Sequence, residues 1–134
     1  MGLDRINPDG LGVPSGFSHA VRATGSIRVY LAGQTALDSE GRIAGQTVVE
    51  QFELALGNLL TALRAAGGEP SDLASLTIYL VDLEDYRAHG PEIGSVWRRL
   101  VGRHYPAMAA VGVARLWDPD ALVEVQGVAE VGSG

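Results

Sequence analysis

The stretch that decides the fold is PAMAAVGVARLWDPDALVEVQG, residues 106–127. It contains two short apolar runs, 108–116 and 122–128, and a Trp-Asp-Pro-Asp turn joins them. Valine and alanine dominate both runs, and a proline between two aspartates supplies turn chemistry. The pattern predicts a β-hairpin or two sequential strands, buried on at least one face. Glu124, which stands between two valines, is the acid that stands out in this apolar sequence.

Earlier segments predict further strands. Residues 1–17 are rich in glycine and proline, which favours a loop or an edge strand. Residues 18–24 could form a short strand, and 25–26 reads as a tight hairpin turn. Residues 27–32 alternate with a period of two, and 73–81 is apolar on both faces, which is typical of a central strand.

Two helices are predicted between these strands. Thr47 and Glu50 have the spacing of a capping box, and Gly67-Gly68 followed by Pro70 stops the helix that begins there. Its apolar residues recur at three- and four-residue spacing: Val49, Phe52, Leu56, Leu59 or Leu60, and Leu63. A second helix is expected over about 91–103, with Pro91 in its first turn.

The order of elements is therefore βββαβαββ. Two helices packed on one face of a mixed sheet make a two-layer α+β fold, and we expect residues 1–134 to form one domain. The strands carry so many apolar residues that the second sheet face is expected to be covered in an oligomer.

Composition excludes several functions. The chain of 134 residues has no cysteine, and its 10 basic residues are all arginine, so thiol chemistry and lysine Schiff bases are excluded. His19, His89 and His104 lack metal-ligand spacing, so neither a metal nor a cofactor is expected. The net charge of −6 disfavours nucleic acid. Arg98, Arg99 and Arg103 form a local basic group whose spacing is typical of a solvated helix face.

Membrane contact is not expected either. No apolar run approaches the roughly 20 residues that a spanning helix needs. The first residues lack the basic start and apolar block of a signal peptide, so a cytoplasmic location is expected.

Six stretches, in this order, resemble the Rid family, also called YjgF. They are FSHAVRATG (17–25), AGQTALDSEG (32–41), the capped helix with its AAGG end, LTIYLVDLEDY (76–86), YPAMAAVGVARL (105–116) and LVEVQGVA (122–129). The resemblance implies a chorismate-mutase-like fold of the bacillary type and a homotrimer with small-molecule clefts between subunits. In the reactive-intermediate deaminase branch, the cleft hydrolyses 2-imino and 2-enamino acids to 2-keto acids and ammonia. The arginine of a Pro-Ala-Arg motif binds the substrate carboxylate there, and a last-strand carboxylate helps to position or activate water.

This sequence departs from the deaminase pattern at the implied site. Met108 replaces the motif arginine, and a thioether offers neither charge nor donor to a carboxylate. Phe17 stands where a tyrosine is common, Ala32 replaces a serine, and Ala110 replaces a small polar residue or cysteine. The last-strand acid is retained as Glu124.

The resemblance and these departures imply an apolar cleft that holds one carboxylate. Our hypothesis is that it takes a neutral or weakly polar ligand, such as an imine or enamine, with Glu124 transferring protons or orienting water. Two structural alternatives stay open: Glu124 could form a salt bridge or a backbone hydrogen bond across the trimer interface, with Arg115 as a possible partner, and Met108 could simply fill the core. An ordinary deaminase remains possible if another arginine, such as Arg98 or Arg103 of a neighbouring subunit, enters the cleft.

Two other classes of function remain. A non-catalytic small-molecule-binding or regulatory trimer could have kept the fold without the arginine. A ribonuclease or translation inhibitor is disfavoured by the acidic charge and by the absence of a basic-aromatic stripe.

Overall fold

The computed structural model describes residues 2–25 and 27–132. Residue 26, half of the predicted turn at 25–26, lies outside the described residues. The strands are β1 (Leu3–Ile6), β2 (Ala20–Ala23), β3 (Ile27–Gln34), β4 (Leu73–Leu80), β5 (Ala107–Gly112) and β6 (Val123–Val131). The helices are α1 (Val48–Ala65), α2 (Leu83–Ala88) and α3 (Gly90–Leu100), and a single 3₁₀ turn, Pro70–Asp72, leads into β4.

Four strands form the main sheet in the order β3-β6-β4-β5, and β1 pairs with β2 in a separate two-stranded sheet. β6 is antiparallel to both β3 and β4, whereas β5 is parallel to β4. The predicted hairpin between the two apolar runs is therefore wrong, and the alternative of two sequential strands is confirmed. The backbone N–H and C=O groups of β6 form hydrogen bonds with β3 on one side and β4 on the other, so β5 pairs with β4 alone. A parallel pair needs a crossover, and α2 and α3 provide it.

Helix α1 begins and ends where the sequence predicts. The Thr47 hydroxyl accepts a hydrogen bond from the Glu50 amide at 3.1 Å, and the Glu50 carboxylate accepts one from the Thr47 amide at 3.2 Å. At the other end the amides of Gly67 and Gly68 bond back to carbonyls of the last turn, and Gly67 has a positive φ of 91°. One face of α1 is buried against the sheet, through Val48, Gln51, Phe52, Ala55, Leu56, Leu59, Leu60 and Leu63.

The second predicted helix is two helices. α2 starts earlier than expected because the Asp82 carboxylate caps it and accepts a hydrogen bond from the Asp85 amide at 3.1 Å. α3 starts at Gly90 and ends at Leu100, three residues before the predicted end. α2 has six residues, too few for a helical apolar period to be recognised.

The main sheet has one covered and one open face. The helices cover the face that carries Leu76, Ile78 and Leu80, which are fully buried. On the other face Tyr30 is 74% exposed and Val111 is 38% exposed. Covering of this face by an oligomer stays a prediction. None of the helices among the described residues combines the length and the apolar character needed to cross a membrane.

Candidate functional site

Glu124 lies on the open face of the sheet. It pairs with Tyr79 across the β4–β6 ladder, whereas its neighbours Val123 and Val125 point into the core and are fully buried. Side chains alternate between the faces of a strand, so this register directs the Glu124 carboxylate away from the helices. The Tyr79 hydroxyl donates to the Gln126 side chain at 3.0 Å and therefore does not bind Glu124.

The Glu124 carboxylate rests against the bare backbone of Gly33. A methyl group added to Gly33 would lie 1.9 Å from Glu124 Oε2, far inside van der Waals contact. Gly33 sits where the β3–β6 register shifts between Leu31 and Gln34. Among residues 2–25 and 27–132, no arginine or histidine of the protomer forms a salt bridge with Glu124. A pair with Arg115 across the trimer interface stays a prediction. A carboxylate without a salt bridge can act as a general acid or base toward a ligand.

A pocket of about 490 Å³ opens on the opposite side of the sheet, between α2, α3 and the β4–β5 pair. A volume of this order suits a metabolite-sized ligand. Apolar and aromatic side chains form most of its wall, namely Phe52, Ile78, Tyr86, Ile93, Trp97, Tyr105 and Met108. The Trp97 and Tyr105 rings stack with their centroids 6.1 Å apart, which makes one wall rigid and flat.

A smaller pocket of about 190 Å³ adjoins the first and shares Met108 with it. Phe17 and Ala110 also line this second pocket. Met108 packs against the core as well, so core filling and pocket lining are both features of this residue. The structure thus brings together three of the residues that the sequence singled out.

The other two predicted residues lie elsewhere in the protomer. Glu124 lies on β6, and Ala32 lies on β3, next to Gly33; neither lines the two pockets. In the sheet, β6 lies two strand spacings from β5, about 10 Å, and β3 lies three spacings from β5, about 14 Å. The two groups of residues also belong to opposite faces, because Ala110 pairs with the inward-facing Ile78. Within one protomer the structure therefore forms two half-sites.

The larger pocket is also lined by Tyr86, which was missed from the sequence, and by Arg98, which was expected in a cleft only from a neighbouring subunit. Burial raises the pKa of Tyr86 to about 12, so its hydroxyl stays protonated and can donate. Arg98 lines the pocket too, and its Nη1 lies 3.2 Å from where a methyl group on Gly94 would stand. The sequence signal was a glycine one helical turn before an arginine, which lets a guanidinium lie along the helix. Arg98 is exposed, as its predicted place on a solvated helix face requires, and it lines the pocket as well.

Comparison with known proteins shows the family of this chain. The endoribonuclease L-PSP family pattern matches residues 10–131. A RutC family protein of Pyrococcus abyssi is 32% identical over 114 residues, which cover 84% of each chain. A 2-iminobutanoate/2-iminopropanoate deaminase of Capra hircus is 30% identical over 105 residues, covering 78% of this chain and 73% of the goat protein.

A solved structure extends the likeness to the whole fold. The protein YyfB of Yersinia pestis, described as a conserved Rid family protein of unknown function, superposes with a TM-score of 0.87. It is 32% identical, and the match covers 98% of this chain and 100% of that one. This chain therefore belongs to the endoribonuclease L-PSP family, the family of the Rid and RutC proteins.

Proposed function

We propose that this protein hydrolyses a small imine or enamine in a cleft formed between subunits of a homotrimer, with Glu124 as the acid and base. The observation that carries the proposal is the Glu124 carboxylate held against Gly33, half-buried and without a salt bridge among the described residues. Only glycine at position 33 leaves room for the carboxylate in this rotamer.

The chemistry needs one group that first takes and then returns a proton. Glu124 accepts a proton from water as the water oxygen bonds to the imine carbon. That proton goes to the imine nitrogen, which gives a carbinolamine. Glu124 then takes the proton of the carbinolamine hydroxyl and passes it to nitrogen, so that the carbonyl forms, the carbon–nitrogen bond breaks and ammonia leaves. Imine and water thus give a carbonyl compound and ammonia, with no oxidant or cofactor in the balance.

The two half-sites support an inter-subunit cleft. Within one protomer, Glu124 does not face the pockets lined by Met108, so a shared cleft requires that a second copy bring its β5 edge to Glu124. The exposed apolar side chains of the open face, among them Tyr30 and Val111, favour such an assembly.

The proposed substrate is not that of a typical 2-imino-acid deaminase. The goat relative named as such a deaminase is 30% identical, which makes imine hydrolysis the nearest chemistry. Met108 nevertheless offers no charge to a substrate carboxylate at the β5 position. A substrate of this protein must therefore be recognised in another way than by an arginine at residue 108.

The test is ammonia release from imines generated in situ from several amino acids. We expect wild type to accelerate release for at least one imine, and Glu124→Gln to lose at least about a hundredfold of that acceleration. Glu40→Gln, in an exposed turn, is the matched control and should behave as wild type. Met108→Arg should increase activity on the smallest 2-imino acids.

Equal rates for wild type and Glu124→Gln would overturn the proposed role of the carboxylate. A wild type that accelerates no imine would favour the second candidate, a non-catalytic small-molecule-binding or regulatory trimer. The observation on its side is that a pocket of about 490 Å³ stands complete without Glu124.

A further inference from the structure

One cation reaches the apolar pocket beside Met108. Arg98 is the only charged side chain among the residues that line it. Within the described ranges Arg98 forms no salt bridge, whereas its neighbour Arg99 binds Glu53 at 3.0 Å. The guanidinium of Arg98 is therefore available to an anion.

Gly94 explains why this guanidinium lies at the pocket. Apart from the helix's own backbone, a methyl group on Gly94 would meet only Arg98 Nη1, at 3.2 Å. The arginine thus folds back over the bare surface of α3, where a larger residue at position 94 would displace it.

The pocket interior complements a large apolar group. Ile78, Ile93 and Met108 supply aliphatic contacts, and the stacked rings of Trp97 and Tyr105 supply a flat wall. A body of aromatic size fits this shape better than a two- or three-carbon chain does, because a small chain would leave most of the 490 Å³ unfilled.

We infer that this pocket binds a carboxylate ligand with a bulky apolar body, the carboxylate pairing with Arg98 and the body packing against Met108. The inference deepens the proposed function, on which it depends for the reaction but not for binding. The ligand carboxylate is then bound by an arginine of helix α3 rather than by one of strand β5. The expected ligand is accordingly an amphipathic anion and not a neutral compound.

Three probes separate the charge from the body: 3-phenylpropanoate, its neutral amide and propanoate. We expect calorimetric titration to show that 3-phenylpropanoate binds about tenfold more tightly than the amide. Propanoate should bind more weakly than either of them. Arg98→Gln should abolish the preference for the acid over the amide, whereas Arg103→Gln, which changes net charge equally, should keep it.

A second pair of variants tests the place of binding. Gly94→Leu should fill the pocket and weaken binding of 3-phenylpropanoate at least tenfold. Gly57→Leu is its control, because Gly57 lies inside α1, outside both pockets, with nothing within 4 Å of an added methyl group. Thermal unfolding of each variant checks that it is folded.

Equal affinity for acid and amide, or an unchanged preference in Arg98→Gln, would overturn the inference. Unchanged binding in a folded Gly94→Leu protein would overturn it as well. These titrations require no turnover, so failure of ammonia release would count against the proposed reaction alone.

Discussion

Adding one methyl group at Gly33 should disable Glu124 while the fold survives. In Gly33→Ala the new carbon would lie 1.9 Å from Glu124 Oε2 and 2.9 Å from its Cδ, whereas ordinary contact begins at 3.4 Å. The oxygen must therefore move by about 1.5 Å, the difference between the shortest of these distances and ordinary contact. A displacement of about 1 Å from the productive geometry can cost on the order of a hundredfold in rate.

The cost in stability should be small. The φ of Gly33 is not positive, so alanine adopts its backbone conformation without strain. The clash is with the end of a flexible side chain, and we expect the free energy of unfolding to fall by no more than about 2 kcal/mol. Rates of ammonia release and urea unfolding curves measure the two effects separately.

A control variant and a double variant test whether the loss of rate in Gly33→Ala comes from the displacement of Glu124. In Gly112→Ala, also in a strand, the new methyl group meets Leu83 at 3.6 Å, an ordinary contact, so rate and stability should stay near those of wild type. Gly33→Ala combined with Glu124→Gln should be no slower than Glu124→Gln alone, because both changes remove the same group. A Gly33→Ala protein with the wild-type rate would refute the reasoning.

Three further predictions concern stability. Leu56→Ala, at a fully buried position of α1, should lower the free energy of unfolding by about 2–5 kcal/mol in urea titrations, because it leaves a cavity in the core. Thr47→Ala removes the hydroxyl that caps α1 at the Glu50 amide and should cost about 1 kcal/mol in the same assay. The carbonyl and carboxylate of Asp85 raise the pKa of His89, so protonated His89 stabilises the folded state at pH values below its ordinary pKa. This stabilisation should be lost as the pH rises through the raised pKa, and His89→Gln should remove that pH dependence from thermal unfolding midpoints.

How well an element could be predicted depended on where its determinants lie. Helix α1 was predicted almost to the residue because its cap, its apolar spacing and its terminal glycines all stand within one segment. The pairing of β6 could not be predicted in the same way. Its partner strands β4 and β3 lie about 50 and 100 residues earlier in the chain, and no local signal shows that they pair with β6 in place of β5.

The candidate site, too, could be predicted only in part, because some of its features depend on distant contacts. The sequence resemblance singled out Phe17, Met108 and Ala110, and the structure gathers them in one pocket. It could not show that Glu124 faces the other way, because the face of a strand residue depends on register. Arg98 was predicted to be solvated and is exposed, but a helix-face argument does not show that such a residue also lines a pocket.

The position of β6 has a consequence for how the protein is made. β6 is the last strand along the described chain, yet it lies between β3 and β4 in the middle of the sheet. During synthesis, β3 and β4 emerge from the ribosome without the strand that joins them, and their edges stay unpaired until β6 follows. The core is therefore completed only when β6 pairs, and the same step brings Glu124 into the sheet. A partly synthesised chain has the pocket residues of β4 and β5 but not Glu124.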